Sequence, residues 1–149
     1  MTNPSVLKTF LWFSEGLPEA LRFYKETFGE EMVIAEESLH SEHLFTADFS
    51  IYGHEFIAMN TPGGDKFNNA ISLSIQVDGQ AETDRLWDAL TTSGAPGRCG
   101  WCTDKWGVAW QVTPFQMRDY VGNPDQSIAQ QNWGILREMG KIELSKFVQ

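Results

Sequence analysis

The sequence predicts an α+β fold built from two copies of a βαβββ-like unit followed by helices. Three observations carry that reading. A β-type run, an amphipathic helical stripe and further short strands occur in the first half, and the same order restarts after Thr61-Pro-Gly-Gly-Asp65. Gly16, Arg22 and Phe23-Tyr24 recur 63 positions later as Gly79, Arg85 and Leu86-Trp87. The segment Arg98–Pro114 holds both cysteines and three of the six tryptophans, and is patterned as a hairpin. These features divide the chain into a first module at about 6–60, a second at about 70–114 and a helical extension at 115–149, all within one domain.

In the first module Val6–Phe13 is a strand, with Leu7, Thr9, Leu11 and Phe13 on one face and Lys8, Phe10 and Trp12 on the other. A helix follows over Pro18–Phe28. Its stripe is Leu17, Ala20, Leu21, Tyr24 and Phe28, with Pro18 in its first turn and Gly29 as its stop. Three strands come next: Met32–Leu39, His43–Ile51 and, after a turn at Tyr52-Gly53-His54, His54–Asn60. The middle one alternates Phe45, Ala47, Phe49 and Ile51 with Leu44, Thr46, Asp48 and Ser50, the mark of a half-buried strand.

The second module opens on Ile71–Val77, with Ile71, Leu73, Ile75 and Val77 opposite Ser72, Ser74 and Gln76. Its helix, Ala81–Thr92, has Thr83, Leu86, Trp87 and Leu90 as the buried stripe. The hairpin then runs from Gly100–Thr103 through a turn at Asp104-Lys-Trp-Gly107 into Val108–Thr113, stopped by Pro114. Val108, Trp110 and Val112 face the core, while Ala109, Gln111 and Thr113 form a small polar face. Asn123-Pro124 caps a helix reaching Met139, with Ile128, Ile135, Leu136 and Met139 as its apolar face. Ile142, Leu144 and Phe147 then dock a last short segment, so that these faces cover the sheet or a second subunit.

Composition narrows the function. A formal net charge of −9 opposes nucleic-acid binding, which needs clustered Lys and Arg, and opposes an anionic membrane surface. No apolar run reaches membrane-spanning length, and the first residues lack the basic and apolar regions of a signal peptide. Two cysteines make no disulfide framework, so a cytoplasmic protein with reduced thiols is expected. Cys99-Gly-Trp-Cys102 has the spacing of a redox dithiol, but it falls in a hairpin rather than at a helix N-terminus, where a thiolate is stabilised. The alternative is a pair of buried or half-buried free thiols. His40, His43 and His54 fall in polar turns and are expected to be surface residues.

The ordered set Thr9-Phe-Leu-Trp-Phe13, Glu19-Ala-Leu-Arg-Phe-Tyr24, Phe67-Asn68 with Ala70-Ile-Ser72, Asp84-Arg-Leu-Trp-Asp-Ala-Leu90, and Cys99-Gly-Trp followed by Asp104-Lys-Trp-Gly-Val-Ala-Trp-Gln-Val112 resembles the PhnB-like branch of the vicinal-oxygen-chelate (glyoxalase/bleomycin-resistance/dioxygenase) superfamily. This branch is often labelled 3-demethylubiquinone-9 3-methyltransferase-like. The resemblance implies paired βαβββ modules forming a curled mixed sheet around a cavity, in a homodimer. It also implies a divalent metal held by His, Glu and sometimes Gln. In this chain the Asp-x-x-Gly-x-x-x-Glu pattern ends in Gln111. The fifth-strand histidine falls on Ser72, the first-strand one near Lys8, and the fourth-strand position on Asn60.

A neutral amide, a hydroxyl, a second amide and an ammonium supply no negative charge, so no metal and no cofactor are expected there. The methyltransferase label implies a nucleotide-like cofactor, for which the chain has no glycine-rich strand-to-helix loop. The expected function is binding of a small organic ligand, with Phe10, Trp12 and Phe67 giving apolar contact and Asn60, Ser72, Ser74 and Gln111 orienting polar groups. Trp101 and Trp106 flank the turn and serve either as the pocket rim or as packing. A metal-dependent lyase, isomerase or dioxygenase of the same superfamily is the competing reading. It lacks a recognisable general base, and the catalytic residue is unknown.

Overall fold

Long-range strand pairing decides which of these runs become sheet. The structure is a computed structural model that describes residues 6–149. Its contacts gather into two compact units, one ending at Lys66 and one running from Phe67 to Gln149.

In the first unit β1 (Thr9–Phe13) leads into α1 (Leu17–Phe28), a single 3-10 turn, and then β2 (Met32–Ser41), β3 (Leu44–Ile51) and β4 (His54–Asn60). The sheet order is β1-β4-β3-β2, with β1 parallel to β4 and the other pairs antiparallel. α1 buries the stripe its spacing dictates (Leu17, Ala20, Leu21, Tyr24 and Phe28) beside a sheet face made of Leu11, Phe13, Ala47, Phe49, Ile51, Phe56 and Ala58. Burying a Leu or Phe of this kind contributes about 1.5–3 kcal/mol each. Gly29, at φ 57°, ends the helix where a side chain would be strained. Lys25 Nζ donates to Met32 O at 2.6 Å and ties the helix end to β2.

β1 starts at Thr9 rather than Val6. Its parallel register opens at Thr9 opposite Phe56, and β4 itself starts only at His54, so Val6 and Leu7 precede the register and their side chains are exposed.

The second unit repeats the plan. β5 (Leu73–Val77), α2 (Gly79–Thr91), β6 (Ala95–Pro96), β7 (Trp101–Thr103) and β8 (Ala109–Pro114) form a sheet of order β5-β8-β7-β6 with the same parallel and antiparallel pairs. The α+β class and the paired βαβββ modules are therefore as expected, realised as two four-stranded mixed sheets, neither of them closed. β6 escapes pattern reading because it is two residues long and contains Pro96, tolerable only at a sheet edge.

Ile71 is a correction. Alternation puts it on the apolar face, but it is 76 % exposed, because the pairing with β8 begins only at Leu73 opposite Trp110. β8 corrects the hairpin reading too. Val108, Trp110 and Val112 are buried as expected, but so are Ala109 and Thr113, leaving Gln111 as the half-buried residue of the supposed polar face.

After β8 the chain forms α3 (Met117–Val121) and α4 (Gln126–Glu138). The cap of α4 is Asp125, not Asn123. The Asp125 carboxylate accepts from Ser127 N (2.9 Å) and Ile128 N (3.4 Å), while Asn123 Oδ1 accepts from Asp125 N (2.9 Å) and shapes the turn before it. Leu136, Met139, Ile142 and Phe147 form one cluster with Cys99, Met117, Tyr120, Val121, Ile135 and Leu144 packed on it. The extension thus packs within its own unit.

Buried Asn132 clamps the end of the chain: its Nδ2 donates to Tyr120 O and Val148 O, and its Oδ1 accepts from Val148 N. Gln80 of α2 holds the same segment, donating to Ile142 O and accepting from Leu144 N, both at 2.8 Å.

Candidate functional site

Each sheet has one face packed by its helix and one face free of it, and strand parity assigns the candidate residues to these faces. In the second unit Ser74, Gln111 and Trp101 stand in one row across β5, β8 and β7. Ser72, just before β5, joins them: Gln111 Nε2 donates to Ser72 Oγ at 2.7 Å. Ser72, Trp101 and Gln111 are half-buried and Ser74 is exposed. Structure therefore brings four of the candidates together on one helix-free face. It can offer hydroxyls, an amide and an indole to a ligand.

Phe67 and Trp106 lie at the hairpin turn. A Cβ on Gly107 would sit 3.7 Å from Phe67, and the Lys105 ammonium is 5.7 Å from the Trp106 ring centroid. The turn is built on Asp104, a buried carboxylate accepting from Trp106 N (3.0 Å), Val108 N (3.1 Å) and the Trp110 indole (2.9 Å). Charge-assisted bonds of this kind satisfy a carboxylate that burial would otherwise penalise. In the sequence Asp104 stands out only as part of a motif. Its position opening the Asp-Lys-Trp-Gly turn was the available signal.

In the first unit Phe10 and Trp12 share the helix-free face and remain 55 % and 39 % exposed. Trp12 is anchored by its indole, which donates to Thr61 O at 2.9 Å. Asn60 is not on that face. It is in register with Phe13, and its Oδ1 accepts from Leu17 N at 3.0 Å, so it caps α1, whose own N-cap Gly16 has no side chain to do so. Charged residues share the face of Phe10 and Trp12. Lys8 pairs with Glu55 at 3.5 Å, and Asp48 and Glu36 lie in the row of Ile57 and Phe10.

The ligand positions implied by the resemblance do not fit a divalent ion. Ser72 and Gln111 are bonded to each other, Asn60 is engaged with α1, and Lys8 brings a positive charge. None supplies the anionic or imidazole donor that must compensate an ion for lost hydration. Among the described residues no group of three or more His, Cys, Asp or Glu side chains gathers. The histidines are dispersed: His40 meets Thr46 Oγ1 (2.7 Å), His54 meets Thr9 Oγ1 (2.9 Å), and His43 is exposed beside Glu42.

The two cysteines are free thiols, Cys99 half-buried and Cys102 buried. Burial, helped by the charge of Asp104, pushes the Cys102 thiol up to about 12, so Cys102 is not a thiolate nucleophile.

Comparison with known proteins agrees with this geometry. The 3-demethylubiquinone-9 3-methyltransferase family profile matches residues 5–113. A PhnB protein from Bacillus cereus is 27 % identical and superimposes with a TM-score of 0.67, over 74 % of this chain and 99 % of its own. Protein PA1353 from Pseudomonas aeruginosa is 22 % identical (TM-score 0.59, 72 % and 96 % covered), a likeness of fold alone. The fosfomycin resistance protein FosX from Mesorhizobium loti is 12 % identical (TM-score 0.54, 73 % and 90 % covered), again a likeness of fold alone. No curated protein matches significantly. With most of its length matched in sequence and its sheet order repeated in both units, the chain belongs to the 3-demethylubiquinone-9 3-methyltransferase family.

Proposed function

We propose that this protein binds a small organic molecule and holds no tight metal at the superfamily's ligand positions. The observation that carries the reading is the row Ser74–Gln111–Trp101 with Ser72 bonded to Gln111, in which Ser72 and Gln111 hold the positions where the resemblance implies a histidine and a glutamate. Uncharged dipoles beside an indole suit a neutral or amphipathic guest better than an ion. Phe10 and Trp12 on the first sheet supply a second aromatic surface of the same use. The family's name stays a name here: the β1–α1 link Ser14-Glu15-Gly16 and the β5–α2 link Asp78 have no glycine-rich phosphate cradle. The same reading makes the protein a cytoplasmic homodimer. Free thiols support the first, and the resemblance together with exposed Leu39, Val33 and Trp133 supports the second. No helix among the described residues is long and apolar enough to cross a membrane.

A thermal-shift screen of small aromatic and amphipathic compounds tests the reading, paired with metal analysis of protein purified without chelator. Expected are hits that raise the melting temperature by mass action, a loss of about tenfold in affinity for Gln111→Ala, the size of one good hydrogen bond to ligand, and substoichiometric metal. One tightly held divalent ion per chain would favour the metal-dependent lyase, isomerase or dioxygenase instead. Hits indifferent to Gln111 would remove the polar row from the site.

A further inference from the structure

We infer that the helix-free face of the first unit's sheet takes a small cationic amphipath, a protonated amine joined to an apolar or aromatic body. This rests on the small-molecule reading above and adds the charge of the ligand.

Two neighbouring rows define the surface. One runs Glu36–Asp48–Ile57–Phe10 across β2, β3, β4 and β1, and the next runs Ser38–Thr46–Met59–Trp12. The face is thus graded. Its β1 side is aromatic and exposed, its middle is Ile57 and Met59, both half-buried, and its β2 side carries two carboxylates. Strands are about 4.8 Å apart, so Asp48 lies roughly 10 Å from Phe10 in the same row. That span matches an ammonium separated from a phenyl ring by a short alkyl chain.

The carboxylates also need an explanation. Glu36 and Asp48 stand directly opposite each other, an arrangement of like charges that destabilises a strand pair. Glu36 accepts a hydrogen bond from Ser38 Oγ at 3.1 Å, which leaves its charge in place. The basic side chains of the face have other partners. Lys8 is matched by Glu55 at 3.5 Å in the row beyond, and His40 is bonded to Thr46. A cation over Asp48 and Glu36 relieves their repulsion while its body covers Ile57, Phe10 and Trp12, where an aromatic face adds cation–π or stacking attraction. An anionic guest would meet two carboxylates in place of a partner.

The test compares three probes of one shape, 4-phenylbutylamine, 4-phenylbutanol and 4-phenylbutyrate, by calorimetry at pH 8, where an unperturbed imidazole is neutral. The amine is expected to bind about tenfold tighter than the alcohol, the size of one charge-assisted contact, and the carboxylate weakest. Asp48→Asn should abolish the preference for the amine while leaving the alcohol's affinity unchanged, and Trp12→Ala should weaken both. Asp48→Asn should also melt no lower than the parent, because it removes a like-charge pair. Equal binding of amine and alcohol with loss in Trp12→Ala would overturn the charge assignment while the small-molecule reading survives. Absence of binding by all three probes, alongside screen hits that depend on Gln111, would overturn it in the same way. A preference for the amine that persists in Asp48→Asn would overturn the placement of the cation.

Discussion

Replacing Asp104 by Asn tests whether the β7–β8 hairpin is set by one buried carboxylate. Asp104 is 3 % exposed and serves three donors, two backbone N–H groups of its own turn at 3.0 and 3.1 Å and the Trp110 indole at 2.9 Å. An amide can keep one acceptor oxygen toward the turn, but its NH2 group then faces the indole N–H, donor against donor. The charge that strengthened all three bonds is also gone. Losing one charged hydrogen bond and stranding a buried donor costs about 3 kcal/mol. For a chain of this size that lowers the melting temperature by roughly 6–12 °C. Scanning calorimetry reads the shift.

A double-mutant cycle locates the effect: in a Trp110→Phe background, where the indole donor is absent, Asp104→Asn should cost about 1–2 kcal/mol less. The hairpin also carries Trp101, Trp106 and Gln111, so near-ultraviolet circular dichroism should change with the substitution. A variant that melts within about 1 °C of the parent, or two substitutions that simply add, would refute the argument.

Two further predictions concern the rest of the second unit. Asn132→Ala leaves Val148 N and the carbonyls of Tyr120 and Val148 without their amide partner in a buried site, and should cost about 2–4 kcal/mol, read by denaturant unfolding together with faster exchange of the Val148 amide. An exchange rate unchanged in the variant would show that the clamp does not hold the chain end. The Cys102 thiol, raised in the folded state to about 12, contributes stability that is complete below the unfolded thiol's range and is lost as pH climbs toward 12. Unfolding should therefore become easier above about pH 9, and Cys102→Ala should flatten that dependence. Equal slopes in parent and variant would assign it to other groups.

Local pattern carried far in this chain. The stripe Leu17, Ala20, Leu21, Tyr24, Phe28 and its counterpart Thr83, Leu86, Trp87, Leu90 bury as spaced, because a helix needs only its own periodicity to present one apolar side. Strand alternation likewise placed Phe10 with Trp12 and Ser72 with Ser74, while Gln111 joins the serines only through the β5–β8 pairing. The order of elements, with its internal repeat, pointed to the fold class, and the ordered motifs carried the family resemblance.

What alternation leaves open is which strand lies alongside, in which register, and what covers each face. Asn60 was a candidate for the ligand wall until pairing with Phe13 turned it toward α1. Ala109 and Thr113 had the pattern of an open face and are buried, whereas Ile71 had the pattern of a core residue and is exposed. Glu36 and Asp48 lie 12 positions apart in sequence and become neighbours only through the bulged β2–β3 pairing. Each of these depends on contacts between distant segments, whose register is set by the whole sheet. A side chain's periodicity therefore belongs to the sequence, and its company belongs to the tertiary structure.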